Sequence, residues 1–171
     1  MNALHKIKEI LMKLTGYLSV LLFAFMTVIG TYQIVTRYVF NRPSTVSEEL
    51  LTYSFTWMAL LISAYVFGKR DHMRMEFFAQ RFTGKAKLAL EVTTEALVLA
   101  FAAIVMVYGG VEITRLTMTQ VTASLQIPMG YVYFVLPLSG LMIVFFSFVN
   151  ILDLIQGQKN GQEEKLSLIH I

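Results

Sequence analysis

The chain has 171 residues, 56% of them hydrophobic and only 15% charged, with a mean hydropathy of +0.63. These proportions point to a membrane protein, and the length fits one domain. The net charge of +3 does not indicate nucleic acid, because the basic residues flank apolar runs and form no separate face. With no cysteine there is no disulfide, no thiolate nucleophile and no thiol-held metal or cluster.

In chain order, residues 1–13 predict an amphipathic helix at the membrane interface. Leu4, Ile7, Ile10 and Leu11 share one face, while Lys6, Glu9 and Lys13 lie elsewhere. Lys6 and Lys13 are placed to reach lipid headgroups. A first span follows over 14–40. Its uncharged part, 14–36, is too long for the apolar region of a signal peptide and is read as an uncleaved membrane helix. At 1.5 Å per residue that part is about 34 Å long, so some tilt is expected.

Asn41 and Pro43 stop this helix. "TVSE" at 45–48 matches a capping box, with Thr45 as N-cap and Glu48 at the third helical position. A second span runs over 48–68. Glu48 and Glu49 lie in its first turn, where the helix dipole favours negative charge. Arg37 is on the same side of the membrane, and an Arg37–glutamate pair across the loop would offset their desolvation. Trp57 falls about 13 Å below Glu48, near mid-bilayer rather than in the headgroup belt where tryptophans gather. Glu49, Tyr53, Thr56 and Ser63 share a related face. Two readings stay open for that face: packing inside the bundle, or contact with a second membrane protein.

Residues 73–83, which include "MRMEFFAQRF" at 73–82, predict a second interfacial helix, with Arg74 and Arg81 reaching headgroups. A third span covers 85–112. Glu91 and Glu95 sit near one end, with Lys87 spaced for an i,i+4 pair to Glu91. A fourth span covers 128–152, with Pro128 suited to its first turn and Pro137 expected to bend it. The polar tail, 157–171, is expected to be mobile. Of the 14 Lys and Arg, eleven fall in the N-terminal segment, the stretch between spans two and three, and the C-terminal tail. Arg37, Arg42 and Arg115 fall on the opposite side. The asymmetry puts both termini in the cytoplasm.

Several functions lack their residues. There is no phosphate-binding loop, no Ser/His/Asp set and no metal-spaced cluster. His5, His72 and His170 all lie outside the spans, so none can ligate a haem within the bundle. No carboxylate sits at mid-span, which argues against the alternative of a self-contained, oligomeric carrier or channel. The reading is of a non-enzymatic membrane scaffold with decorated ends and no cofactor of its own.

"RYVFNRPSTVSEELLTYSFTWMALLISAYVFGKRDHMRM" and the later "SLQIPMGYVYFVLPLSGLMIVF" resemble the small membrane subunit of tripartite ATP-independent periplasmic (TRAP) transporters, the DctQ-like family. The resemblance covers 16–152. It rests on Arg37, Tyr38, Phe40, Asn41, Pro43, Glu48, Glu49, Leu50, Trp57 and His72, and on Ile127, Pro128, Tyr133 and Pro137. Val46 stands where family members often carry tryptophan. The resemblance implies a multi-pass protein of the bacterial inner membrane in a sodium-driven importer of an organic acid, sialic acid or a C4-dicarboxylate. A periplasmic binding protein would deliver the cargo. A large (DctM-like) subunit would hold the substrate and sodium sites and move as an elevator. This chain would brace the large subunit and help dock the binding protein. Arg37, Asn41, Pro43, Glu48, Glu49, Tyr53, Trp57 and His72 would serve as interface or structural residues. Phospholipid is the remaining expected partner.

Overall fold

A computed structural model describes residues 2–69 and 85–169, with side chains for 4–69 and 89–155. Its elements are α1 (Asn2–Tyr38), α2 (Thr45–Lys69), α3 (Lys85–Phe101), a π-helical turn sequence (Ala102–Gly109), α4 (Gly110–Thr117), α5 (Met129–Tyr133) and α6 (Val135–Ile169). These make four helices long and apolar enough to cross a membrane: Leu4–Tyr38, Thr45–Lys69, Ala89–Thr117 and Met129–Ile155. No sheet occurs among the described residues, only one isolated bridge between Val121 and Pro128. The interfacial helix expected at 73–83, with Arg74 and Arg81, lies outside the described residues, as does His72.

Several boundaries differ from the sequence reading. α1 is one unbroken helix, with no break near residue 13 between an interfacial and a spanning part. Nothing in 2–38 forces one: there is no proline, and the apolar positions continue through both pieces. Its 37 residues span about 55 Å, against roughly 30 Å of hydrocarbon, so its N-terminal turns extend beyond the apolar layer. The third span continues to Thr117 rather than ending at 112. Thr114 and Thr117 support those turns by donating their hydroxyls to the carbonyls of Gly110 (2.6 Å) and Ile113 (2.7 Å). Pro128 caps α5 from just outside its first turn. The helix is interrupted at Phe134, one turn before Pro137, whose ring has no N–H for the Tyr133 carbonyl. Beyond the expected end at 152, α6 continues to Ile169.

The fourth span is the hub. Half of its most apolar window is buried, against 6% for the first span. Ile143 packs with Ala64, Ala102 and Met106, and Phe146 and Val149 are fully enclosed. Contact with the third span is close because glycine faces it. A Cβ on Gly110 would lie 2.9 Å from Pro137, and one on Gly140 2.7 Å from Met106. Small residues of this kind let membrane helices meet where no hydrophobic force separates helix from lipid. α1 lies at the margin, antiparallel to α2. Gly16 faces Tyr65 and Gly30 faces Leu51. Most hydroxyls in the spans return to their own helix. Thr15, Thr27, Thr31, Thr56 and Ser63 all donate to the carbonyl four residues back and need no outside partner.

Candidate functional site

At one end of the bundle, α1 closes on Asn41, which takes a left-handed backbone (φ 50°). Asparagine tolerates that conformation better than most residues. The Arg42 N–H returns to the Thr36 carbonyl at 3.0 Å. Ser44, not Thr45, caps α2: its hydroxyl accepts the Ser47 N–H at 3.4 Å. The capping box expected at 45–48 does not form, and the cap lies one residue earlier. Glu48 is left exposed, with no reciprocal bond to the cap.

Glu49, Tyr53 and Trp57 follow at four-residue steps along one face of α2. They meet the loop 118–128 and the start of the fourth span. Glu49 Oε1 accepts the Tyr53 hydroxyl at 2.7 Å and the Ala123 N–H at 3.1 Å. Glu49 Oε2 accepts the N–H groups of Ser124 at 3.0 Å and Leu125 at 2.8 Å. Three successive backbone amides converge on one carboxylate, an anion nest filled by a side chain of the same protein. The loop holds that shape through its own bonds. Thr122 N–H donates to the Ile127 carbonyl (2.9 Å), Ile127 N–H to the Thr122 hydroxyl (3.2 Å), and Met129 N–H to the Gln120 carbonyl (2.8 Å). Gln126 supplies the turn with a left-handed φ of 55°. Thr122 is buried beneath it.

One turn further into the bundle, the Tyr53 hydroxyl lies 3.6 Å from Met129 Sδ. One turn beyond, the Trp57 indole N–H donates to the Val132 carbonyl at 3.1 Å, beside the proline-interrupted turn. The indole N–H is thus engaged inside the bundle. A shallow cleft of about 290 Å³ opens beside the clamp between Glu48, Glu49, Thr52 and Ser124.

The expected Arg37–glutamate pair does not form. Arg37 is exposed and forms no ion pair among the described residues. Glu49 is taken up instead by the backbone N–H groups of Ala123, Ser124 and Leu125. Arg37 instead ends α1, where a cation suits the helix dipole. Lys6 and Lys13 are exposed on α1. The Lys87 side chain lies outside the described residues, so its pairing with Glu91 does too.

At the opposite end, the sequence reading missed a second polar site. Asn150 of α6 is fully buried. Its Oδ1 accepts Lys8 Nζ of α1 at 2.6 Å. Its Nδ2 donates to Glu95 Oε1 of α3 at 3.3 Å and to the Phe67 carbonyl of α2 at 3.5 Å. All four spans meet at one amide. His5 Nε2 and Asp153 Oδ1, 3.2 Å apart, tie α1 to α6 a turn away. The available signal was a lone asparagine in the apolar run "MIVFFSFVN", a residue type that joins helices in membranes.

At both ends the bonded polar groups, Glu49 and Trp57 at one and Asn150 at the other, join helices or loops of this chain. No group of three His, Cys, Asp or Glu able to hold a metal occurs among the described residues. Comparison with known proteins agrees with the earlier resemblance. Residues 10–157 match the family described as "Tripartite ATP-independent periplasmic transporters, DctQ component". The chain is 28% identical over 153 residues to the sialic acid TRAP transporter small permease protein SiaQ of Vibrio cholerae, covering 90% of this chain and 88% of that one. It is 21% identical over 126 residues to a protein of Haemophilus influenzae described as a TRAP transporter small permease, covering 74% and 78%. The chain belongs to the DctQ family, the small membrane component of tripartite ATP-independent periplasmic transporters, and is a multi-pass inner-membrane transport subunit rather than an enzyme.

Proposed function

We propose that this subunit is a passive brace in a sodium-coupled importer of an organic acid, of the sialic acid type. A large membrane subunit carries the cargo and sodium, and a periplasmic binding protein delivers the cargo. The observation that supports the brace is where the charges lie. Among the described residues, no charged side chain falls within two helical turns of the middle of any span. A chain that carried an anion or a sodium ion itself would need coordinating groups at that depth. The choice of sialic acid over a C4-dicarboxylate follows the name of the Vibrio cholerae relative. The test is uptake by cells that have no other route for sialic acid. Expressing this chain with its large subunit and binding protein gives saturable, sodium-dependent uptake, and omitting any one abolishes it. Uptake of succinate but not sialic acid under the same conditions would overturn the substrate assignment alone.

The outer clamp faces the periplasm, and both termini are cytoplasmic. The excess of Lys and Arg at the ends of the bundle away from the clamp supports this orientation. A cysteine introduced at Thr119, exposed in the clamp loop, reacts with an impermeant thiol reagent added outside intact spheroplasts. A cysteine at Thr83 reacts only after lysis. The reverse pattern would invert the orientation. In this frame the clamp sets the shape of the surface offered to the binding protein, while Arg37, Arg42 and Glu48 remain exposed beside it.

A further inference from the structure

An open groove lies between α1 and α2, at the end that carries the N-terminus. Its volume is about 850 Å³. Gly16, Val20 and Phe23 of α1 and Met58, Ile62 and Tyr65 of α2 form its walls, and they are almost wholly apolar. Its charged lining residues are Glu9 and Lys13, one helical turn apart at its mouth. Among the described residues neither pairs with the other or with any third group, and both are exposed.

Three features select an occupant. The groove follows two membrane-crossing helices, so its open side faces lipid. From Lys13 to Phe23 it extends about 15 Å, half of a hydrocarbon core of roughly 30 Å. That is the depth of one leaflet. A partner's transmembrane helix would need a groove that continues past Phe23 and Met58, where this lining ends. The lining itself contributes one cation and one anion, with the Lys69 ammonium beyond them, 5.2 Å from the ring centroid of the wall residue Tyr65. A purely anionic headgroup would satisfy Lys13 and be repelled by Glu9.

We propose that this groove binds one phospholipid whose headgroup carries both a phosphate and a primary ammonium. The phosphate pairs with Lys13, the ammonium donates to Glu9, and an acyl chain lies along Gly16, Val20 and Phe23. The inference rests on the first two helices crossing the bilayer and is independent of the transported cargo and of which side the N-terminus occupies. It narrows the general expectation of lipid contact to one site with a headgroup preference. Bound there, the lipid would fill the seam between the marginal helix α1 and its only broad neighbour, α2.

Native mass spectrometry on the full chain, purified with its membrane companions, tests this. The delipidated complex is given phosphatidylethanolamine, phosphatidylcholine or phosphatidylglycerol at equal concentration. The expected result is one retained phosphatidylethanolamine, favoured about tenfold over phosphatidylcholine, whose quaternary ammonium has no N–H for Glu9. Glu9→Gln removes that preference, and Lys13→Gln weakens retention of all three lipids. Both residues are exposed, so neither change threatens the fold. Gly16→Leu, which fills the groove beside Tyr65, abolishes retention. Equal retention of the three lipids, or a preference unmoved by Glu9→Gln, overturns the proposal. An intact complex that retains no lipid overturns it as well, because the groove then lies beneath a partner chain.

Discussion

Replacing Glu49 with glutamine frees the loop 118–128 from α2 while leaving the four spans helical. Glutamate presents two acceptor oxygens to four donors: the Tyr53 hydroxyl and the N–H groups of Ala123, Ser124 and Leu125. Glutamine keeps one acceptor and turns an NH2 toward groups that are themselves donors. The loop retains its internal bonds through Thr122 and Gln120, so it stays folded but loses its anchor. Amide hydrogen exchange at 123–125 should rise about tenfold or more, because local opening no longer breaks charge-assisted bonds. Uptake by the assembled transporter should fall at unchanged expression, with the larger effect at low concentrations of binding protein. Glu48→Gln is the matched control: Glu48 is exposed and makes none of these bonds, so exchange at 123–125 should not change. Equal exchange in wild type and Glu49→Gln would dismiss the clamp.

Asn150→Leu should have the second large effect, at the opposite end. Leucine fills similar space but offers nothing to Lys8, Glu95 or the Phe67 carbonyl. Individual polar contacts between membrane helices contribute about 0.6–2 kcal/mol. Asn150 makes three, so a loss of roughly 2 kcal/mol is expected, since the ends of the helices can rehydrate in part. The loss should appear first in α1, the helix with least burial. Exchange in its first turns should rise, and the melting temperature in detergent should drop by a few degrees. An unchanged α1 would mean that contact with α2 and the His5–Asp153 pair hold that helix without Asn150.

How much of this was legible in the sequence depends on what holds each part. The four spans were plain because apolar length is written directly in residue types. Glu49 stood out because carboxylates are rare in such runs, Trp57 because it is the one tryptophan of the chain, and Tyr53 because it shares their face. The partners of Glu49 were not legible: backbone amides carry no letter, and three convergent N–H groups arise only from the folded loop. Charge complementarity suggested Arg37 instead, a residue that proved exposed. The cap was misplaced by one position because Ser44 and Thr45 are both good caps, and only geometry decides between adjacent hydroxyls. The π-helical stretch over Ala102–Gly109 has no composition signature, and its Met106 packs closely against Gly140 of the fourth span. Asn150 was legible in principle, as one amide among aromatic and aliphatic neighbours. Its significance came from Lys8, Phe67 and Glu95, which are distant in sequence and joined only by the bundle.

The two clamps give the proposed brace a physical meaning. One end of the bundle is fixed by a carboxylate in an amide nest, the other by an amide shared among four helices, and the middle is held by close apolar contact. Such a body suits a stationary support, because moving one helix past another would break both sets of contacts at once. The most direct test is flux in proteoliposomes of defined composition, with sialic acid outside and an inward sodium gradient. The purified chain alone should leave the liposomes as impermeable to sialic acid as protein-free ones. Adding the large subunit and the binding protein should start sodium-dependent accumulation. Sialic acid entering liposomes that contain this chain and no other would contradict the account.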